Sequence, residues 1–356
     1  MPVPIKQFSI WRILLPIVLG LGVVGYMLYS EFDPVALESI RLRPTAFFWF
    51  LIGFLAMFIR DFGYMLRLRI LTDNQLSWWS TFKVIMLWEF TSTITPSAVG
   101  GTSVAILYIN KGGLSVGRSS AVVMATSFLD ELYFIIMFPL LLVLLDNGLL
   151  FGIDPTHDSI WKNEFFYFAS IGYLLKFLYT LLLSYGLFIN PRGLKWALLR
   201  FFKLRFFRKW RFKALDAGED IVKSSRALIR KPITFWIKAF AATFFSWTAR
   251  YWVVNAMLLA FFSIDHHFAI FARQLVMWIM MLVSPTPGGS GFAEFVFTRY
   301  LSDFIPVTPE ALGMVAVAMA FFWRIITYYP YLIMGIFILP AWIKRNFRKS
   351  NVRDAA

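Results

Sequence analysis

Ser284-Pro285-Thr286-Pro287-Gly288-Gly289-Ser290-Gly291 interrupts an apolar stretch that otherwise runs over residues 271–300. Proline removes a backbone donor and clashes with the preceding turn, and glycine opens backbone angles closed to other residues, so a helix ends here. The arms left on either side are about 10–15 residues, or roughly 15–22 Å at 1.5 Å per residue. That is too short to cross a hydrocarbon core of about 30 Å. The spacing predicts a hairpin that dips to the middle of a bilayer and returns, its tip surrounded by protein or a wet cavity. A second apolar stretch, 82–110, is broken in the same way at Thr95-Pro96-Ser97-Ala98-Val99-Gly100-Gly101.

Outside these two stretches, six apolar runs are long enough to span: 11–29, 46–66, 119–145, 165–189, 235–262 and 311–341. The composition agrees. Of 356 residues, 59% are hydrophobic and 15% charged, where a soluble protein carries roughly a quarter of its residues as charges. The expected fold is an all-α polytopic membrane protein, 1–356 as one integral membrane domain. No cleavage site of the small-x-small type follows the run at 13–29, which reads as a first span. The absence of cysteine excludes disulfides, zinc–cysteine sites and thiol nucleophiles. Three histidines are too few for most metal sites, and no cofactor is expected.

The net charge of +15 is distributed by segment. Segment 190–234 has 13 Lys and Arg against three acids, and 342–356 has five against one, whereas 146–164 holds Asp146, Asp154, Asp158 and Glu164 against Lys162. By the positive-inside rule, 67–81, 111–118, 190–234 and 342–356 are cytoplasmic, with both termini inside. The basic excess therefore reads as loops beside anionic lipid, and no nucleic-acid partner is expected.

This order contains a repeat. Residues 1–145 and 165–341 each read span, span, broken hairpin, span, and the tips are 191 residues apart. Three crossings per half invert the second half, so the hairpins are expected to enter from opposite faces. Inverted repeats with broken helices at the midplane are the architecture of many secondary transporters. Between the halves, the basic linker 190–234 opens with an amphipathic stretch. Arg192, Lys195, Arg200 and Lys203 share one helical face opposite Leu194, Leu198 and Phe201, as in a helix lying in the inner headgroup layer, with a cytoplasmic clamp between the two halves as the alternative.

Two nucleotide-like patterns carry little weight. Gly20-Leu21-Gly22-Val23-Val24-Gly25 lies inside a span, and Gly112–Ser119 follows no strand. The tips carry more. A helix restarting after each break, from Thr102 and from Ser290, would present unpaired N–H groups suited to phosphate or carboxylate. Thr95, Pro96, Gly100, Gly101, Thr102, Pro287, Gly288, Gly289 and Ser290 are the candidate headgroup residues, with Arg250 or Arg324 opposite the phosphate. Asp130, Glu131 and Glu294 are candidates for an amine, a proton or a coupling cation. Ionisable side chains at this depth are costly unless paired or wet, so interhelical ion pairing stays open for each, and is preferred for Arg60–Asp61. No Ser-His-Asp or metal-ligand set accompanies them, leaving covalent catalysis little to work with.

Thr95-Pro96-Ser97-Ala98-Val99-Gly100-Gly101-Thr102, Asp130-Glu131, and Pro285-Thr286-Pro287-Gly288-Gly289-Ser290-Gly291-Phe292-Ala293-Glu294 resemble the flippase-like membrane domain of the lysylphosphatidylglycerol synthase family. That domain forms the membrane half of the bacterial multiple peptide resistance factor and also occurs alone. The resemblance implies movement of a lipid with a modified headgroup between the leaflets of the bacterial inner membrane. It does not imply the synthase activity, because the sequence ends at Ala356, where fused members continue into an aminoacyltransferase domain. The partners expected are anionic or modified phospholipids. A homo-oligomer and a separately encoded lipid-modifying enzyme remain open, as do two rival functions: a subunit in glycolipid or envelope-lipid synthesis, and a scaffold that transports nothing.

Overall fold

The computed structural model describes residues 39–95, 97–153, 160–193, 211–284, 286 and 288–347, with single positions at 22, 25, 26, 29, 30 and 196. The expected first span at 11–29, Pro96, Pro287 and the surface residues Lys195, Arg200 and Lys203 lie outside or almost wholly outside these residues. Among the described residues all regular structure is helical. Four segments are long and apolar enough to cross a membrane: Ala46–Leu71 (α1), Val116–Leu144 (α4), Glu164–Ile189 (α6 with a closing π-turn) and Pro309–Asn346. Large apolar side chains point outward from them, among them Phe47 and Val143, both 83% exposed. Such a surface suits lipid and not water.

Trp78–Ile94 (α2) and Ser97–Lys111 (α3) form the first broken pair. α2 starts on the Ser77 hydroxyl, which accepts the Ser80 N–H, and stops at Thr95, whose backbone is extended (φ −110°, ψ 141°). The ring of Pro96 forces this, since a residue before proline is driven out of the helical region. The two arms fold back on each other: Gly101 packs on Ser92, and the hydroxyls of Thr91 and Tyr108 lie 2.8 Å apart. The expectation that Gly100 and Gly101 belong to the break is corrected. Helix resumes at Ser97, so both glycines, and Thr102, lie inside α3. There Gly101 permits the close approach of the arms.

Asn147–Phe151 (α5) caps the far end of α4. Arg211–Ile229 (α7) follows, a helix in the basic linker that the sequence pattern did not indicate. Ile233–Tyr251 (α8) and Val253–Leu259 (α9) cover most of the stretch expected as one span at 235–262, with a one-residue interruption at Trp252. His267–Met280 (α10) and Phe292–Tyr300 (α11) form the second broken pair. Gly288, Gly289 and Gly291 in its tip all have positive φ (57°, 69° and 84°), which other residues adopt only under strain. Pro309–Thr327 (α12) and Tyr329–Phe347 (α13) meet at a kink on Tyr328.

Contacts between loops order the two ends of the molecule. At one end Asp73 binds Arg118 (2.9 Å) and Lys231, while the Asp220 carboxylate accepts the Gly117 N–H (2.9 Å). Segments 67–81, 111–118 and 190–234 therefore share an end. At the other, Arg273 donates to the carbonyls of Leu149 (2.7 Å) and Tyr300 (2.8 Å) and binds Asp303 (2.7 Å). The base of the α2–α3 pair lies at the first end, with Gly112 on Leu76, and the base of α10–α11 at the second. Running between the ends, α1 packs antiparallel on α8–α9. Gly63 faces Ala242 and Ser246, Gly53 faces Ala256, and Arg43 donates to the carbonyls of Ala260 (3.0 Å) and Phe262 (2.9 Å).

Candidate functional site

The two broken tips meet. The Tyr328 hydroxyl donates to the Thr93 carbonyl at the end of α2 (3.2 Å) and lies 3.2 Å from the Ser290 hydroxyl in the second tip. Gly288 sits so close that a Cβ there would strike both the Tyr328 ring and the Thr93 carbonyl. Tyr328 can reach both tips because the α12–α13 kink aims it between them.

One turn before the kink, Arg324 closes the second tip. Its Nε and one terminal nitrogen bind the Glu294 carboxylate at 2.8 and 3.3 Å, and its terminal nitrogens donate to the carbonyls of Gly288 (3.2 Å) and Gly289 (3.0 Å). Glu294 in turn accepts the Gly291 N–H at 2.7 Å. The α11 N-terminus thus already holds an anion, the chain's own carboxylate, as the helix dipole favours. In this conformation Arg324 and Glu294 satisfy each other, and an incoming phosphate would have to displace Glu294.

A second set of charges lies along the α1–α8 seam. Arg60 binds Asp61 (2.7 Å), Glu89 (2.7 Å) and the Tyr331 hydroxyl (2.9 Å), and Tyr331 donates to Asp61 (2.8 Å). Two turns along, Arg67 grips both oxygens of Asp130 and donates to Thr243 (3.2 Å); the Trp247 indole N–H also donates to Asp130 (2.6 Å). The Tyr64 ring separates the two guanidiniums, 4.2 Å from Arg60 and 4.5 Å from Arg67. Glu131 leaves its neighbour and binds Lys176 on α6 (2.9 Å). Adjacent in sequence, Asp130 and Glu131 therefore serve different helices. Arg250 is buried against the Trp278 ring (4.3 Å), and among the described residues no carboxylate lies within ion-pair distance of it.

A lateral groove of about 630 Å³ opens beside this seam, between α1, α2 and the α12–α13 kink. Phe58, Phe62, Trp79 and Met334 make it apolar, and Asp61 and Tyr331 form its polar edge. Such a shape accepts an alkyl chain and offers its first polar atoms a carboxylate.

Sequence reasoning found most of these charges but missed Arg67 and Arg273. Segment charge puts Arg67 in the cytoplasmic loop 67–81, yet α1 extends to Leu71 and buries it. Its spacing of seven from Arg60, two helical turns on one face, was the available signal. Arg273 is the only Lys or Arg between Asp265 and Arg299, a position that marked it. Arg192 is exposed, and among the described residues no group of three or more His, Asp or Glu is placed to hold a metal ion.

Residues 13–335 match the family model described as the lysylphosphatidylglycerol synthase TM region. A UPF0104 membrane protein of Archaeoglobus fulgidus is 27% identical over 298 residues, covering 81% of this chain and 84% of that protein.

Proposed function

The chain belongs to the lysylphosphatidylglycerol synthase TM-region family, and from that membership we propose that it moves a lipid with a polar or modified headgroup between leaflets. The single observation that carries the reading is the meeting of two broken helices whose bases lie at opposite ends of the molecule. It supports a reading in which both pairs are re-entrant in a bilayer, with tips near the midplane. The full count is then six spans and two hairpins, repeated with inversion in 1–145 and 165–341. We place the protein in the bacterial inner membrane with both termini cytoplasmic. A separately encoded enzyme would modify the lipid it carries.

Headgroup travel past the tips needs the Tyr328 contacts to open, and the groove beside them supplies a place for the chains. One observation favours a rival: with Tyr328 and Arg324 fully engaged, the junction is closed, as a scaffold would keep it. Headgroup-labelled lipid exchange in proteoliposomes separates the two. The panel covers aminoacylated, zwitterionic and glycosylated lipids. Translocation predicts exchange of at least one class above protein-free vesicles, slowed by Met334→Trp, which fills the groove. No acceleration of any class leaves the scaffold.

A further inference from the structure

Among the described residues, five of the six buried Lys and Arg side chains have a carboxylate partner: Arg60, Arg67, Lys176, Arg273 and Arg324. Arg250 is the exception. Only 8% exposed, it makes no hydrogen bond or ion pair to the described residues and lies instead over Trp278, with the Trp247 ring 5.9 Å away. A charge inside a membrane protein that lacks a partner is costly, and it is retained where a ligand or a wet space completes it.

We propose that Arg250 is the anion-binding residue of this protein and takes a singly charged phosphodiester. Three features select that ligand. The guanidinium offers a planar fork matched to two phosphate oxygens. The group carries one positive charge at a site only 8% exposed, so one negative charge suffices to neutralise it and a second would be left unpaired. Arg60 Nε and Arg67 Nε are enclosed without a partner, whereas the Arg250 nitrogens retain some open surface through which a ligand can reach them. The competing candidate, Arg324, is already occupied by Glu294 and two carbonyls. Arg250 also sits one turn beyond Ser246, whose hydroxyl donates to the Arg60 carbonyl (2.6 Å), which places it next to the α1 seam.

The proposal deepens the translocation reading, but its test reads binding alone, so each can fail without the other. The purified full chain in detergent is titrated calorimetrically with dihexanoylphosphatidylglycerol, with uncharged dihexanoylglycerol and with inorganic phosphate. The charged lipid is expected to bind more tightly than the uncharged one. Arg250→Gln should weaken it by about tenfold or more, the scale of a lost charge-assisted hydrogen bond, and Arg250→Lys should retain most of the affinity. Without ligand, Arg250→Gln should melt no lower than wild type, because it strands no partner. Competition by phosphate at matching concentration would make free phosphate the source of the anion and overturn the phosphodiester assignment; lack of competition supports the lipid. Equal binding of the two lipids, undiminished binding by Arg250→Gln, or failure of that variant to fold would each overturn the proposal.

Discussion

Arg324 and Glu294 form a two-point ion pair, at 2.8 and 3.3 Å, with 4% of the arginine and 2% of the glutamate exposed. The pair joins α12 to the start of α11 and holds the Gly288–Gly289 backbone in place. Its geometry makes it a clasp on the second tip, and it accounts for two ionisable groups at a depth where either alone would be expensive.

Breaking the clasp from one side strands a buried charge. Arg324→Gln should therefore lower stability by about 3–5 kcal/mol, and Glu294→Gln by a similar amount. The double variant Arg324→Met with Glu294→Met should melt above either single variant, since no charge is left without a partner. Melting temperatures of the three variants in one detergent check this. A double variant no more stable than the singles would show that the bonds to the glycine carbonyls outweigh the pair.

The α1–α8 seam depends on two glycines to different degrees. A Cβ on Gly63 would meet the Ala242 carbonyl at 2.8 Å and Ser246 Cβ at 2.9 Å, whereas one on Gly53 would meet Ile326 at 3.4 Å. Gly63→Ala should cost about 1–3 kcal/mol through overpacking. Gly53→Ala should be neutral or gain a few tenths, because alanine favours the helix. Thermal unfolding of both variants, compared directly, decides it, and equal shifts would contradict the close approach at Gly63.

Asp130 accepts from two directions, from Arg67 and from the Trp247 indole. Asp130→Asn keeps the volume and removes the charge, leaving Arg67 buried against Tyr64. The expected loss is about 3–5 kcal/mol. Trp247→Phe removes one donor to that carboxylate and part of a buried ring, leaves the Arg67–Asp130 pair in place, and should cost less, about 1.5–3 kcal/mol from the hydrogen bond. Denaturation of both variants in matched micelles tests the ranking, and a larger loss for Trp247→Phe would reverse the roles assigned here.

Much of this arrangement was legible in the residues. Pro96 and the glycines at 288, 289 and 291 announce two breaks, and segment charge put Asp73, Arg118 and Lys231 on one side, where they meet. What local pattern could not supply was partnership. Nothing near Asp130 in sequence points to Arg67 or Trp247, because each pair is made by helices distant along the chain. Position inside a helix was misread where glycine had a packing role. Gly101 looks like a breaker, but it allows Ser92 to approach, and the break belongs to proline acting on Thr95. The interruption at Trp252 left no Pro or Gly signal, and α7 lies in a linker too basic for apolar periodicity to stand out.

The opposite placement of the two hairpin bases gives the sharpest topological expectation. Lys111 ends α3 beside Gly112, at the end where Asp73 joins Arg118 and Lys231. Ser302 follows α11 beside Asp303, which Arg273 holds at the other end. If both pairs re-enter, cysteines introduced as Lys111→Cys and Ser302→Cys will be labelled by a membrane-impermeant maleimide from opposite sides of the membrane. A third cysteine, at Asn74, belongs to the Lys111 end and calibrates the assignment. The sequence contains no native cysteine, so each signal has one source. The alternative is that each interrupted stretch crosses the bilayer once, in two offset pieces. Each stretch would then join opposite faces, so Asn74 and Lys111, which flank the first, would label from opposite sides. Co-labelling of Asn74 with Lys111, and of neither with Ser302, is the pattern the hairpins require. Labelling of Lys111 and Ser302 from one side would remove the inverted repeat, and with it the midplane meeting of the tips on which the translocation reading rests.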